Sequence, residues 1–528
     1  MRVKLPADAP WREKELKLGF RPSDLPLLEA SALILPASHD GEPGAEVHQL
    51  EAVYFDTPEF ALADEGIELR IRREAGSGWL QTIKLRQGGL RSGMFDRLEH
   101  ERALSDPGPK LTGLPKDPGF DLLRCNRVRR RLQPVFATRV ERRIYHLAGE
   151  AGGEIELAID VGRLSAGRRT APLCEVELEA KGATPANLFR LAEALSESVD
   201  LRPEIRGKAD LGYALLRRTV PGPEKSESVS VRWETAREDV FAAILENAFR
   251  QTRGNERAIL ETGDPEAVHQ MRVALRRLRA CLSVFRKQLP AGTVEPVRES
   301  LRGILDVLGP ARDWEVFVAD RLGSAKLLAG HDPLFGSIVT IAEKERSKAW
   351  TQLRKLLASR EYSRTILRLT GWITCRRWRE EMNRKELRQF RGPVGKMAVK
   401  SLEKGHRRLC RAGGDLVFGD DDSWHELRIA IKRQRYFLDS FRSCFPAKAV
   451  GRYAGALEAL QDALGGLQDL ATGKELLAKL GRGRPEPLQA FLGGFSAGQA
   501  GERAFLRESV LEQWSEFAEL KRPWHDCR

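Results

Sequence analysis

The chain shows two hydrophobic periods. Up to about residue 218, apolar and polar residues alternate with a period of two, as in half-buried β-strands. From Trp233 onward, apolar residues recur every three or four positions, as in amphipathic helices. The first period appears in eight segments: Glu13 to Lys17, Val53 to Pro58, Ile67 to Arg73, Leu80 to Arg86, Asp96 to Glu101, Phe136 to Tyr145, Glu154 to Asp160 and Leu173 to Glu179. Alternate residues share a face. Leu, Ile and Val occupy one face of nearly every segment, and dense charge of both signs occupies the other. One such strand reads as solvated surface. Eight in series predict a closed antiparallel barrel whose polar lumen holds a charged ligand. Pro22 to Leu35 is expected to form a short helix. Residues 184–200 are expected to form another, with Thr184 before Pro185 as its N-cap.

The helical part contains a repeat. His269-Gln-Met-Arg272-Val-Ala-Leu-Arg276-Arg277-Leu-Arg279 matches His425-Glu-Leu-Arg428-Ile-Ala-Ile-Lys432-Arg433-Gln-Arg435 at an offset of 425 − 269 = 156. Leu308-Gly309-Pro-Ala-Arg312-Asp313 matches Leu464-Gly465-Gly-Leu-Gln468-Asp469 at the same offset, and Gly263-Asp264 falls on Gly419-Asp420. Three anchors at one spacing predict two similar helical bundles. At ~100° per residue, Arg272, Arg276 and Arg279 lie within ~80° of His269, opposite a stripe of Met271, Leu275, Leu278 and Leu282. The second copy sets His425, Arg428, Lys432 and Arg435 against Leu427, Ile431 and Leu438. Like charges one turn apart destabilise an isolated helix. Two such columns therefore predict a polyanion nearby. Asp313 and Asp469 are expected to cap helices or brace arginines.

Charge sharpens the division. Residues 1–220 hold 34 basic and 34 acidic side chains, so the remainder has 88 − 34 = 54 basic and 75 − 34 = 41 acidic, and the whole excess of +13 lies there. The chain's 528 residues exceed what one core normally supports. Seven cysteines without a C-x-x-C pair suggest neither a zinc site nor a disulfide framework. The N-terminus lacks an apolar core of signal-peptide length, and no window approaches 18 apolar residues, so no membrane partner is expected.

The opening strand suggests a chemistry. Glu13, Glu15 and Lys17 on one face are costly to bury without a partner. A divalent cation on a polyphosphate is such a partner: carboxylates suit Mg²⁺ or Mn²⁺, and an ammonium suits phosphate oxygen. Breaking a P–O–P link requires charge stabilisation and a placed water more than a covalent nucleophile. No P-loop motif occurs. Nor is there support for Ser/His/Asp catalysis, and His39, His48, His100 and His146 are read as surface positions. In the strand from Phe136, Arg139, Arg142 and Arg143 all remain candidates for the charged face.

Together E13-x-E15-x-K17, Y54-F55-D56-T57-P58, L69-R70-I71-R72, T82-x-K84, R97-x-E99, the runs 155–160 and 174–179, and K208-x-x-x-G212-Y213 resemble the CYTH domain of the triphosphate tunnel metalloenzymes, in family order. One departure is the twelve residues before Glu13, where the family motif usually stands near the start. The resemblance implies an eight-stranded tunnel for a linear triphosphate. It implies phosphate contacts from Lys17, Arg70, Arg72, Lys84, Arg97, Arg142 and Lys208. Metal binding or placement of the attacking water would fall to Glu13, Glu15, Asp160, Glu175 and Glu177, with Glu99 and Glu179 behind them. Glu13, Glu15 and Lys17 are the expected catalytic set. The repeat, H-x-x-R-V-x-x-R-R-x-R, resembles the CHAD domain over roughly 236–520. That implies polyphosphate binding, without catalysis, by His269, Arg272, Arg276, Arg279, His425, Arg428, Lys432 and Arg435.

The expected fold is therefore α+β and multidomain: an eight-stranded antiparallel tunnel barrel over 1–218, a Pro/Gly/Ser-rich linker over 219–231, and an all-α duplicated bundle over 232–528 with repeats near 236–385 and 393–520. The expected activity is Mg²⁺- or Mn²⁺-dependent hydrolysis of inorganic triphosphate, with inorganic polyphosphate as the second partner. The alternatives are a nucleoside or thiamine triphosphatase, an adenylate cyclase, and a non-catalytic polyphosphate binder. A binder would not need the carboxylates. Nucleic acid is disfavoured because few aromatic residues interleave the cations. The expected location is the cytoplasm, with association with polyphosphate granules as a further expectation.

Overall fold

A computed structural model of the chain describes residues 12–34, 38–39, 42–74, 78–86, 94–149, 152–325, 332–414 and 421–525. Contacts separate it into two units, residues 1–221 with 358–377, and 222–357 with 378–528.

The first unit is built on eight long strands: β1 (Arg12–Gly19), β2 (Glu46–Asp56), β3 (Ile67–Glu74), β4 (Gly78–Arg86), β5 (Met94–Leu104), β6 (Gln133–Ala148), β7 (Glu154–Ala166) and β8 (Arg169–Lys181). Around the sheet the order is β1-β5-β4-β3-β2-β6-β7-β8, and β8 pairs back to β1 with Glu15 opposite Glu179 and Lys17 opposite Glu177. All eight pairings are antiparallel. The sheet thus closes, which removes the unpaired edges that an open sheet must protect.

Alternation puts charge inside and apolar side chains outside, where helices and a long connection cover them. Leu16, Leu18, Ile155, Leu157, Ile159, Val176 and Leu178 are buried against Leu188, Phe189, Ala192 and Leu195 of α1 (Pro185–Leu195). Thr184 precedes this helix, and its backbone N–H donates to Asn187 Oδ1 at 3.0 Å, closing a capping box. Ile67, Leu69, Ile83, Leu85 and Leu98 pack on Leu111, Leu114, Phe120, Leu123 and Val128 of the connection between β5 and β6.

A second helix, α2 (Lys208–Arg217), enters one end of the barrel. Its Leu211 packs with Leu50, Val140 and Leu173. Ala209 and Tyr213 pack with Ala52, Tyr54, Phe136 and Ala166. Phe136 stacks on Tyr54 at 4.4 Å and meets Tyr213 edge-on at 5.0 Å. A Cβ at Gly212 would overlap the Phe136 ring, so this position needs glycine for close approach. Tyr213 donates to Asp56 Oδ2 at 2.8 Å, and the same carboxylate accepts the backbone N–H groups of Thr57, Leu62 and Ala63. The Y-F-D-T-P stretch therefore anchors α2.

The helix Arg360–Thr374, expected in the first helical repeat, is part of this unit. Leu367 is buried in the core around α1, Arg360 donates to the Ser196 carbonyl at 2.8 Å, and Arg377 pairs with Glu193 at 2.8 Å.

The long helices described in the second unit are α3 (Arg237–Arg257), α4 (Pro265–Val284), α5 (Ala291–Val316), α6 (Pro333–Leu357), α7 (Gly395–Gly413), α8 (Asp421–Phe441), α9 (Ala447–Gly481) and α10 (Ala500–Ala518), with shorter ones at Arg384–Phe390 and Glu486–Ala497. Shifted by the repeat offset of 156, α3, α4 and α5 begin at 393, 421 and 447, close to the starts of α7, α8 and α9. The duplication read in the sequence is thus a duplication of helices. Met271, Leu275, Leu278, Leu282, Leu427, Ile431 and Leu438 are all buried. Asp264 caps α4 through the Glu266 N–H at 2.7 Å, whereas Gly419-Asp420 lies outside the described residues. No described helix is long and apolar enough to cross a membrane.

Candidate functional site

Inside the barrel is a cavity of about 380 Å³. Its lining carries eight carboxylates, eight Lys or Arg side chains, one histidine and three apolar residues, so formal charge balances. Isolated buried charges would be prohibitive, and ion pairs such as Lys17–Glu15, Lys84–Glu99, Arg97–Glu68 and Lys208–Glu177 offset them here.

All seven cations expected to contact phosphate line this cavity: Lys17, Arg70, Arg72, Lys84, Arg97, Arg142 and Lys208. The strand alternation supplies six. Lys208 comes from the first turn of α2, beside Gly207, where a Cβ would sit 2.9 Å from an Arg97 guanidinium nitrogen. Of the three arginines left open on β6, only Arg142 faces the lumen. Arg139 is exposed and pairs with Glu51, and Arg143 pairs with Glu29 and Glu141.

Three carboxylates, Asp160, Glu175 and Glu177, place oxygens within 4.8 Å of one another. Asp160 is fully buried and Glu175 nearly so. Lys208 reaches all three, at 2.7 Å to Asp160, 2.9 Å to Glu177, and in close contact with Glu175. Arg142 donates twice to Asp160 at 2.7 Å and also binds Glu177. Burial alone would raise the Asp160 carboxyl, but Arg142 and Lys208 overcome it and hold the group well below the usual carboxylate range.

Glu15 stands on the adjoining strand, 3.1 Å from Lys17. Burial opposes its ionisation, yet Lys17, Lys84 and Arg97 keep it ionised well below the ordinary range, and its Oε1 has no hydrogen-bond partner. Lys17, which also pairs with Glu177, is pushed down to about 8, chiefly by burial. Hard oxygen donors at this spacing fit a divalent ion such as Mg²⁺ or Mn²⁺. Glu13 lies on β1, and its side chain is outside the described residues.

Glu99 on β5 pairs with Lys84 at 3.2 Å and approaches Arg70 at 3.9 Å, while Glu179, on β8 with Glu175 and Glu177, pairs with Lys181 at 2.6 Å. The lining also contains residues that the sequence reading did not single out as ligands: Glu46, Glu68, Glu101, Glu156 and Lys181. Glu68 pairs with Arg97 at 3.6 Å. The signal was present, since Glu68 shares a face with Arg70 and Arg72. His48, read as a surface position, lines the cavity 3.2 Å from Glu46. Its parity with Leu50 and Ala52 places it inside.

In the second unit, α4 and α8 lie against each other, with Arg433 donating to Ser283 at 3.1 Å. Arg272, Arg276, Arg428 and Lys432 form one cationic cluster across this contact. Burial, reinforced by the three arginines, pushes Lys432 down to about 7. Asp313 braces Arg272 at 2.7 Å, and Gln468 bonds His425 at 3.1 Å and Arg428 at 3.4 Å. His269 is held below its ordinary value by burial and then by Arg312, which the sequence reading passed over. Arg279 is exposed, and Arg435 pairs with Glu458 at 3.3 Å. These two stand further along the columns.

Comparison with known proteins gives two family matches, to the CYTH domain over residues 12–208 and to the CHAD domain over residues 243–478. An inorganic triphosphatase of Haemophilus influenzae is 31% identical over 214 residues, which is 39% of this chain and 55% of that protein, so the chain spans about half the length of this relative. An uncharacterized protein of Mycobacterium tuberculosis is 27% identical over 98% of this chain and 96% of its own. Among solved structures, the CHAD domain from the plant Ricinus communis is similar, with 27% identity, coverage of 57% of this chain and 98% of that one, and a TM-score of 0.48.

Proposed function

Because the chain is a CYTH domain followed by a CHAD domain, we propose that it hydrolyses inorganic triphosphate to diphosphate and orthophosphate in the barrel, and binds inorganic polyphosphate between α4 and α8. The observation that carries the first part is the lumen itself, with seven cations facing inward around the carboxylates Asp160, Glu175 and Glu177. The Haemophilus relative supports the same reaction.

A triphosphate carries about four to five negative charges, and Arg70, Arg72 and Arg142 suit its oxygens because a guanidinium presents paired donors. Entry of the anion displaces carboxylate–cation contacts within the lumen. Lys208 and Arg142 turn from Asp160 and Glu177 toward phosphate, and the freed carboxylates are left to hold cations. Asp160, Glu175, Glu177 and Glu15 would hold Mg²⁺ or Mn²⁺, which neutralises phosphate charge and activates water. Water attacks a terminal phosphorus, the bridging P–O bond breaks, and diphosphate leaves. Lys17 Nζ, largely protonated at neutral pH, holds a proton at the leaving oxygen.

Phosphate release from triphosphate, ATP and long-chain polyphosphate, measured in parallel with Mg²⁺ or Mn²⁺, tests the reading. Preference for triphosphate is expected. Preference for ATP makes the barrel a nucleotidase. Release from none, with long-chain polyphosphate still bound, leaves a binding protein.

A further inference from the structure

The barrel's two ends differ. Lumen-facing positions become apolar toward α2: Glu46 and His48 give way to Leu50, Ala52 and Tyr54 on β2, and Arg142 gives way to Val140 and Phe136 on β6. There α2 fills the barrel, pinned by the Tyr213–Asp56 hydrogen bond. A linear anion cannot thread through that floor. At the opposite strand ends no described residue forms such a plug, and the lining runs out to Glu46, Glu101, Glu156 and Lys181. These three carboxylates stand near the start of β2, the end of β5 and the start of β7, each away from α2.

Charge is therefore graded along the lumen. Seven of the eight lining cations lie inside the rim with five carboxylates among them, Glu15, Glu68, Glu99, Glu177 and Glu179, whereas the rim sets Glu46, Glu101 and Glu156 against Lys181, 3.7 Å from Glu156, and His146, 3.6 Å from Glu46. A short anion entering end-on passes the rim and is enclosed by cations. A longer chain, halted by the floor, must leave its remaining phosphates among carboxylates. Like charges brought together reject a wrong ligand more strongly than missing contacts do.

We propose that Glu46, Glu101 and Glu156 form a length filter at the entrance, so that the site takes inorganic triphosphate end-on and turns away longer linear polyphosphates. This rests on the triphosphatase reading of the lumen and assigns the rim a role distinct from the residues that bind the reacting phosphates.

The test compares kcat/KM for triphosphate, tetraphosphate and long-chain polyphosphate, per chain end, in the full chain. Wild type is expected to lose about tenfold or more beyond triphosphate. The Glu46→Gln/Glu101→Gln/Glu156→Gln variant is expected to narrow that gap about tenfold with triphosphate turnover held within about twofold. Lys181→Glu, which adds a carboxylate to the rim, is expected to widen it and gives a reading should the triple variant fold poorly. Equal use of long chains by wild type, or a gap unmoved in both variants, overturns the filter while leaving triphosphate hydrolysis intact. Absence of triphosphate hydrolysis in wild type overturns the underlying reading instead.

Discussion

Arg142 and Asp160 face each other across β6 and β7, and the guanidinium donates to both carboxylate oxygens at 2.7 Å while Lys208 Nζ approaches one of them at 2.7 Å. A fully buried carboxylate shared by two cations is stable only while all three are present. Asp160→Ala leaves Arg142 and Lys208 to share Glu175 and Glu177, and the loss is expected to approach the ~3–5 kcal/mol of breaking a buried pair. Denaturant unfolding of the full chain is expected to show that loss in the barrel's transition. An unchanged midpoint would mean that Asp160 is dispensable to the network.

Neutralising the carboxylates without changing their shape separates chemistry from folding. Glu15→Gln and Glu177→Gln keep the lumen filled. Each is expected to lower kcat for triphosphate by about 10²–10³, the scale of removing one preorganised electrostatic contact. Circular dichroism should remain that of wild type. Steady-state phosphate release decides the point.

Within the cluster between α4 and α8, Lys432 is pushed down to about 7. Lys432 faces Arg428 on its own helix, Arg272 and Arg276 on α4, and Asp469 on α9. Burial and these arginines disfavour its charge, and a polyanion restores it. Polyphosphate binding there would therefore be coupled to proton uptake by Lys432, and affinity should fall as pH rises through about 7. Lys432→Arg, which stays charged, is expected to flatten that dependence. Binding isotherms at several pH values, at one ionic strength, check it.

Arg272 and Arg428 occupy equivalent places in the two copies, and each is braced, by Asp313 and Gln468 respectively. Alanine at either is expected to weaken polyphosphate binding about tenfold, near the worth of one charge-assisted hydrogen bond. Raising salt should shrink the difference. Triphosphate hydrolysis in the barrel should be unaffected.

Much of this was legible from alternation alone. Glu15, Lys17, Arg70, Arg72, Lys84 and Arg97 face the lumen because a period of two leaves them no other side. The same rule would have placed Glu68 and His48 there, yet glutamate beside arginine reads as ordinary surface pairing, and a lone histidine carries no pattern. What alternation cannot supply is the closure of the barrel, since the partner of β1 is set by pairing with β8, more than 150 residues away. The plug was not legible either. Tyr213 and Asp56 are separated by 157 positions, and only the folded chain explains why a glycine precedes the tyrosine. Helix 360–374 misled for a related reason. Its amphipathic pattern matches any bundle helix, and nothing local says that Leu367 will be buried beside Phe189.

That packing is itself testable. Leu367→Ala removes a fully buried side chain and is expected to cost about 2–5 kcal/mol. Hydrogen exchange should then rise in α1 and β1, although both lie more than 170 residues earlier in the chain. Protection unchanged in those segments would remove the helix from the barrel's core.

The most direct measurement is orthophosphate release from inorganic triphosphate by the full chain with Mg²⁺ or Mn²⁺, before and after chelation, beside the Glu15→Gln/Glu177→Gln variant. Turnover that stops on chelation, returns with added metal and is absent in the variant is the expected result. Metal-independent release, or release undiminished in the variant, would contradict a hydrolase built from the carboxylates and cations of the lumen.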